Sequence, residues 1–346
     1  MTPRTLAVLL VCAIVSSAAA AFAIAERVSF KDTNFQGQRV FPDLLETAKD
    51  VTTMTVTQSG KIMTFEKKDA GWTLKQSGNY RVHDNLVSKV VFGLANMELL
   101  DAKTAKPSRF KDLQLSDPSG VESKAQQVRL TDANGNVIAD LIVGRANYFL
   151  PETTTGGMYI RRPGEDQTWL ARGLVDIGVE PRDWLIREII DIKPEQIARV
   201  DVTFPDGMQQ AVVPAPDATG GFAYENMPDG FKLSSPYAPR NVAAVLGSFV
   251  LNNVTPSVDI DLDPSRAYVA TFKITGGMQV VTQMWEKGGQ HYMRIQAEAA
   301  PPSAAATLAV EINARTDGWT YIIPDYQYEQ ISKKLADVIE KKAAGG

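Results

Sequence analysis

Two stretches of this chain follow one pattern. Residues 41–60 read FPDLLETAKDVTTMTVTQSG, and residues 181–207 read PRDWLIREIIDIKPEQIARVDVTFPDG. Each opens on a proline with paired apolar residues after it, passes through a polar gap into an alternating strand, and closes on a glycine turn. A chain that restarts halfway predicts two domains built to a single plan. In the second stretch Trp184, Leu185, Ile189 and Ile190 are spaced for one face of a short helix, and Ile197, Val200 and Val202 belong to a strand that ends at Asp206-Gly207. Trp184 stands at the junction of the two plans, beside Asp183 and near Arg187. That place suits either a plug between domains or an exposed interface anchor.

At 346 residues the chain exceeds what one hydrophobic core usually supports, and 44% hydrophobic with 22% charged residues is the composition of a folded protein. The expected organisation is an N-terminal apolar segment (1–25), a polar tether (26–40), a first domain (41–173) and a second (181–340). In the first, strands begin near residue 51, near Ile62 and Phe65, and near Trp72 and Leu74. A helix then places Leu86, Val90, Leu94 and Met97 on one side, with Asp84 or Asn85 able to cap it. QQVRLTDANGNVIADLIVG is a hairpin about Asn134-Gly135. In calcium loops the glycine falls at the sixth position, whereas here it is the fourth from Asp132.

The second domain repeats this order. A helix carries Val242, Leu246, Phe249 and Val250, a hairpin spans residues 267–286, and strands surround Tyr292 and Trp319. A last helix places Ile331, Leu335 and Val338 on one side. Ile197 corresponds to Val51, Asn241 to Asn85 and Tyr292-x-Arg294 to Tyr159-x-Arg161, with an offset that drifts as loops lengthen. Meandering strands with few helices predict an α+β fold: two tandem related repeat domains of mostly antiparallel sheet after an N-terminal membrane segment.

Between Thr5 and Ala25 no residue is charged. Twenty-one residues make about 30 Å of helix, enough to cross a bilayer core. The segment is an uncleaved anchor or, with its h-region at residues 6–14 and small residues about 18–23, a cleaved secretory signal. In either case the remainder is exported, because the positive charge at Arg4 lies on the N-terminal side. Cys12, the one cysteine, lies within this segment. The exported part therefore holds no disulfide and no thiol nucleophile. A net charge of −4 argues against nucleic acid as a partner.

Motifs of phosphate-binding loops, hydrolase nucleophile elbows and zinc proteases are missing from the sequence, and neither His83 nor His291 has a second ligand at metal spacing. No catalytic, metal or cofactor site is assigned. Two features bear chemistry. Asp259, Asp261 and Asp263 alternate in VDIDLDPS, so a strand would present them on one face about 7 Å apart; that face is either merely solvated or the site of an envelope hydrolase. The other is the Tyr-x-Arg pair, Tyr159 with Arg161 and Tyr292 with Arg294, repeated at equivalent places. Tyr and Arg are favoured at interfaces, and on a strand this spacing puts both on one side. The alternative is a structural pair that stacks or bridges along the sheet. Tyr159, Arg161, Tyr292, Arg294 and Trp184 are the candidate interface.

The segments GWTLK, DNLVSKVVFGLANMELLDA, VIADLIVGRANYFL and MYIRR, followed by PRDWLIREIIDIKPEQIARVDV and GFKLSSPYAPRNVAAVLGSFVLNNV, resemble the bacterial family known as domain of unknown function 4340, over roughly residues 41–260. The resemblance implies a single-pass inner-membrane protein whose bulk is periplasmic, accessory to an ABC-type transporter of the ABC-2 or gliding-motility kind. It supplies no catalytic residues. The alanine-rich apolar segment departs from the family pattern and leaves secretion after cleavage as the alternative, as it leaves a structural or adhesive envelope module as another role.

Overall fold

The computed structural model describes residues 36–150 and 156–342. The chain divides into two units, one made of the residues up to Thr73 with His83–Val179, the other of Leu74–Val82 with the residues from Glu180 onward. The apolar segment of residues 1–25 lies outside the described residues. Among those described, no helix is long and apolar enough to cross a membrane.

In the first unit a short helix α1 (Leu44–Thr47) leads into β1 (Thr53–Gln58), β2 (Lys61–Lys68) and β3 (Gly71–Leu74). β1 buries Met54 and Val56 and leaves the residues between them half-exposed, as a strand with one face on a core must. The chain then makes an excursion that contains β4 (Tyr80–Arg81) and packs as part of the second unit. Ser77 Oγ donates to Asn253 Oδ1 at 2.6 Å, and the Tyr80 ring meets Trp319 edge-on with centroids 4.8 Å apart.

Helix α2 (Asp84–Ala95) follows, and it buries Val87, Val90, Val91 and Leu94. The expected face is thus turned toward Val87 and Val91: Leu86 is only half-buried, and Met97 is buried beyond the helix end. Asp84 does not cap the helix; its carboxylate accepts the Trp72 amide at 2.7 Å. After α2 come β5 (Glu98–Ala102), β6 (Gln126–Thr131), β7 (Val137–Asn147), β8 (Gly157–Arg161) and β9 (Thr168–Arg172). The β6–β7 hairpin turns at Asn134-Gly135 as predicted. Asp132 accepts the Asn134 and Asn136 amides, each at 2.8 Å, so its carboxylate organises a turn.

Within the first unit the strands follow the order β3-β2-β1-β6-β7-β8-β9-β5, and the neighbours from β2 to β5 pair antiparallel. This order has a consequence for the path of the chain. β5 occupies the edge beyond β9, yet the next strand, β6, lies in the middle beside β1. Residues 103–125 must therefore travel back across one face of β9, β8 and β7, as a strap. Phe110 and Leu115 of the strap pack with Ala125 and Ile142, and Tyr159 lies against them. The β7 bulge is where the strap comes nearest: a Cβ on Gly144 would lie 2.4 Å from Leu113 O and 2.7 Å from Gln114 O.

The second unit contains β10 (Ile197–Thr203), β11 (Gln209–Pro214), β12 (Phe222–Tyr224), β13 (Phe231–Leu233), helix α3 (Ala238–Ala243), β14 (Asn253–Pro256), β15 (Tyr268–Ile274), β16 (Met278–Lys287), β17 (Gln290–Ala299), helix α4 (Ala304–Thr316), β18 (Trp319–Ile323), helix α5 (Asp325–Ser332) and β19 (Ile339–Lys341). Its sheet is ordered β12-β11-β10-β15-β16-β17-β18-β14, while β13 and β19 pair separately. Here too the edge strand β14 precedes a strand from the middle, β15, and residues 257–267 strap across β18, β17 and β16.

The fold is α+β with mostly antiparallel sheet, as expected, but three expected helices differ. Trp184, Leu185, Ile189 and Ile190 are all buried, yet in a 3-10 turn (Pro181–Asp183) and irregular backbone, where Leu185 bridges Val82. Apolar residues buried on every side do not require helical period. α3 stops after Ala243 because a tight turn follows, and a Cβ on Gly247 would lie 2.7 Å from Ile192 O. α5 ends at Ser332, and Leu335 and Val338 fall in a 3-10 turn that leads into β19. The sequence pattern gave no sign of α4, which Ser303 caps by accepting the Ala306 amide.

Gly144→Ala should lower stability by roughly 1–3 kcal/mol, because backbone on both sides must shift to admit one methyl group. Urea denaturation monitored by tryptophan fluorescence measures this; an unchanged midpoint would mean that the strap does not close on the bulge.

Candidate functional site

The face that each strap crosses is the face that carries Tyr-x-Arg. In the first unit β8 turns Met158 and Ile160 into the core, and Tyr159 and Arg161 to the strap side. Arg161 is buried, with 9% of its surface exposed. Its Nε and Nη2 donate to Leu115 O at 3.3 and 3.2 Å, its Nη1 donates to Glu165 O at 3.2 Å, and its guanidinium lies 4.5 Å from the centre of the Phe110 ring. Burial lowers its pKa from the usual arginine value, while Asp117 and Asp166 pull in the opposite direction. The second unit places Arg294 on β17 in the same relation to its own strap: Nη2 donates to Ser257 O at 3.2 Å and to Ile260 O at 3.4 Å, and Nε to Thr320 Oγ1 at 2.9 Å. Its guanidinium lies 5.4 Å from the Trp285 ring centre.

Of the five candidate interface residues, Arg161, Tyr292 and Trp184 are buried, while Arg294 and Tyr159 are half-exposed. Arg161 donates to the chain's own carbonyls, and Arg294 to two carbonyls and the Thr320 hydroxyl. Tyr292 is buried with Leu262, Ala267 and Trp285, and its hydroxyl donates to Gln290 Oε1. Trp184 is 2% exposed. Arg161, Tyr292 and Trp184 are closed to a partner unless the strap or the core opens, whereas Arg294 is half-exposed and lines an open pocket with Ser257, Gln283 and Trp319.

The aspartate series is corrected as well. Asp259 ends a 3-10 turn and residues 260–263 are irregular, so no strand aligns Asp259, Asp261 and Asp263. They lie on the second strap, exposed, while Leu262 is buried beneath and Ile260 packs beside it. Lys287 Nζ donates to Asp261 O, and Trp285 Nε1 donates to Asp263 O at 2.9 Å. The Asp263 carboxylate accepts the Ser265 hydroxyl and amide, and its pKa is lowered by those bonds. His291 stacks on Tyr328 with ring centres 4.0 Å apart, and its Nδ1 is 3.0 Å from Asp325 Oδ1. Among the described residues no three His, Cys, Asp or Glu side chains gather as metal ligands would.

Tyr159 is different. It is half-buried and lines a groove of about 600 Å³ beside the start of the first strap. Ala102, Ala105, Leu113 and the Tyr159 ring form its apolar surface; Lys103, Lys106 and Arg109 line it too, with Asp112. Arg145, from the β7 bulge, lies 5.4 Å from the Tyr159 ring centre. Sequence reasoning missed the groove, although its signal is local: AKTAKPSRFKDL puts Lys103, Lys106, Arg109 and Lys111 within one short run.

The family model described as domain of unknown function (DUF4340) matches residues 44–237, more than half of the chain. The chain belongs to this family. No curated protein and no solved structure matches it. The matched span holds the whole of the first strap, the groove and the Tyr159-x-Arg161 strand of this DUF4340 protein.

Arg161→Ala should destabilise the fold by roughly 2–4 kcal/mol, since the buried Leu115 carbonyl loses its charged donors and Phe110 loses its stacked plane. Arg294→Ala should cost less, about 1–2 kcal/mol, because its site is half-exposed to water. Paired denaturation curves test the ranking; an Arg161→Ala chain as stable as wild type would return this arginine to the list of interface residues.

Proposed function

We propose that this chain is a non-catalytic accessory protein of the bacterial cell envelope, tethered to the inner membrane by its N-terminal apolar segment with its bulk in the periplasm, and that it acts as a binding module beside an ABC-type transporter. The observation that carries the binding role is the groove at Tyr159. It combines an apolar floor with cationic walls, has the size of small-molecule sites, and lies on an irregular connection held by a rigid sheet, where binding residues concentrate. Membership of the DUF4340 family and the uncharged segment of residues 5–25 support the tethered, transporter-linked setting. The side chains best suited to chemistry favour binding over turnover, since Arg161, Arg294 and Asp263 are each engaged in holding backbone.

We infer further that the two units descend from one duplicated domain. The supporting observation is strand order: counted from β3 and from β12, β3-β2-β1-β6-β7-β8-β9-β5 and β12-β11-β10-β15-β16-β17-β18-β14 have the same sequence of connections, with Tyr159 and Tyr292 on strands that hold the same place.

The test is site-specific photo-crosslinking in intact cells, with a photoreactive phenylalanine analogue in place of Leu113. A crosslink to a transporter membrane subunit, lost when the probe is moved to the exposed Val310 on α4, is the expected result. Crosslinks of equal yield from both positions, or a chain found only in the cytoplasm, would overturn the proposal.

A further inference from the structure

We propose that the groove at Tyr159 binds an organic anion: a phosphate group carried on an apolar body. This rests on the binding role proposed above and names the ligand class of the same site. The starting point is charge. The whole chain is acidic, with a net charge of −4, yet three cations, Lys103, Lys106 and Arg109, line this groove, and a fourth, Arg145, lies 5.4 Å from the ring of Tyr159 that forms its floor. They are opposed by two carboxylates. Asp101 pairs with Lys103 at 2.5 Å, and Asp112 with Arg109 at 3.4 Å, both pairs largely in water. Exposed pairs of this kind hold weakly and exchange readily for a ligand anion. Among the described residues Lys106 and Arg145 make no ion pair.

The positive charge sits at the walls and the floor is apolar, formed by the Tyr159 ring with Leu113, Ala102 and Ala105. A bare inorganic ion would leave that floor wet, and a neutral apolar molecule would leave the cations unused. An amphiphile with a phosphate head satisfies both, because phosphate accepts hydrogen bonds from lysine and arginine together while the body covers the ring. Tyr159 is held in place from behind: it packs against the cluster of Phe110, Leu115, Ala125 and Ile142, and Phe110 is stacked by Arg161. The floor is thereby formed before the ligand arrives, which lowers the ordering cost of binding.

The chemistry fits two sources, a phospholipid headgroup with the first part of its chain or a soluble phosphate ester, and the experiment separates them. The full chain is reconstituted in phosphatidylcholine nanodiscs and titrated calorimetrically with hexyl phosphate, inorganic phosphate and hexyl glucoside. Hexyl phosphate should bind at least tenfold more tightly than either of the others, and its affinity should fall at least tenfold in Lys106→Glu/Arg109→Glu, whose exposed side chains leave the melting temperature unchanged. Replacing part of the lipid with phosphatidylglycerol assigns the source. Loss of hexyl phosphate binding marks the headgroup as occupant, and undiminished binding marks a soluble ester. Hexyl glucoside binding as tightly as hexyl phosphate, or a double variant that binds like wild type, would overturn the inference. Its failure is separable from failure of the transporter role: that role is read by crosslinks from position 113, which the double variant should still give if a protein alone occupies the face.

Discussion

Both sheets of this protein are built around the problem of bringing a chain back from an edge. Each sheet completes its far edge early, with β5 or β14, and then needs the next strand in its middle. The return path crosses an open sheet face in irregular backbone, whose carbonyls have no ladder to join and must find donors. An arginine answers this requirement better than a lysine would. Its flat guanidinium offers donors in several directions and can stack on an aromatic ring at the same time. Arg161 does so with Leu115, Glu165 and Phe110, and Arg294 with Ser257, Ile260 and Trp285. The tyrosine two residues earlier lies on the same side and fills the space under the strap, which explains why the two residue types recur together.

Once the straps are recognised, other features follow from them. The aspartates of VDIDLDPS point to water because the opposite side of that passage, with Leu262 and Ile260, rests on the sheet. Gly144 is small because the first strap runs against its bulge. Arg145, next to it in the same bulge, is directed over Tyr159 rather than along the ladder.

Much of the fold is legible in the sequence, and the gaps have a common cause. The Asn134-Gly135 hairpin and the alternation of Met54 and Val56 are local signals, and local signals were enough for the α+β class. Segments shaped by what they lie on are different. VDIDLDPS alternates like a strand because the strap rests Ile260 and Leu262 on one sheet face, although the first apolar residue of the run, Val258, stays exposed. PRDWLIREIIDI has helical spacing by coincidence, since Trp184, Leu185, Ile189 and Ile190 are enclosed on all sides. Helix α4 escapes notice because alanine-rich sequence gives little amphipathic contrast, with only Ala309, Ile312 and Thr316 buried along it. The Tyr-x-Arg pair was visible as a pattern, but its role depends on strand order. The order alone tells that a strap passes over one arginine and that the other end of the same strap opens a groove.

That groove is the point where the two straps diverge. The second runs over residues 257–267, short enough that Trp285, Lys287 and Arg294 pin most of its length to the sheet. The first runs over residues 103–125, about twice as far, between strands that hold the same places in their sheet. The added length is taken up at Pro107–Leu113, where the chain coils into a 3-10 helix that packs Phe110 inward and turns Arg109, Asp112 and Leu113 to the groove beside Tyr159. A tyrosine that in the second unit is sealed under its strap is in the first unit left half-open at the bottom of a cationic groove. The frame bears the cost of ordering the floor through Arg161 and Phe110, so the longer strap is free to vary its charges without endangering the fold. Two units whose strands follow the same order differ in this way in how much of one sheet face a single connection leaves open.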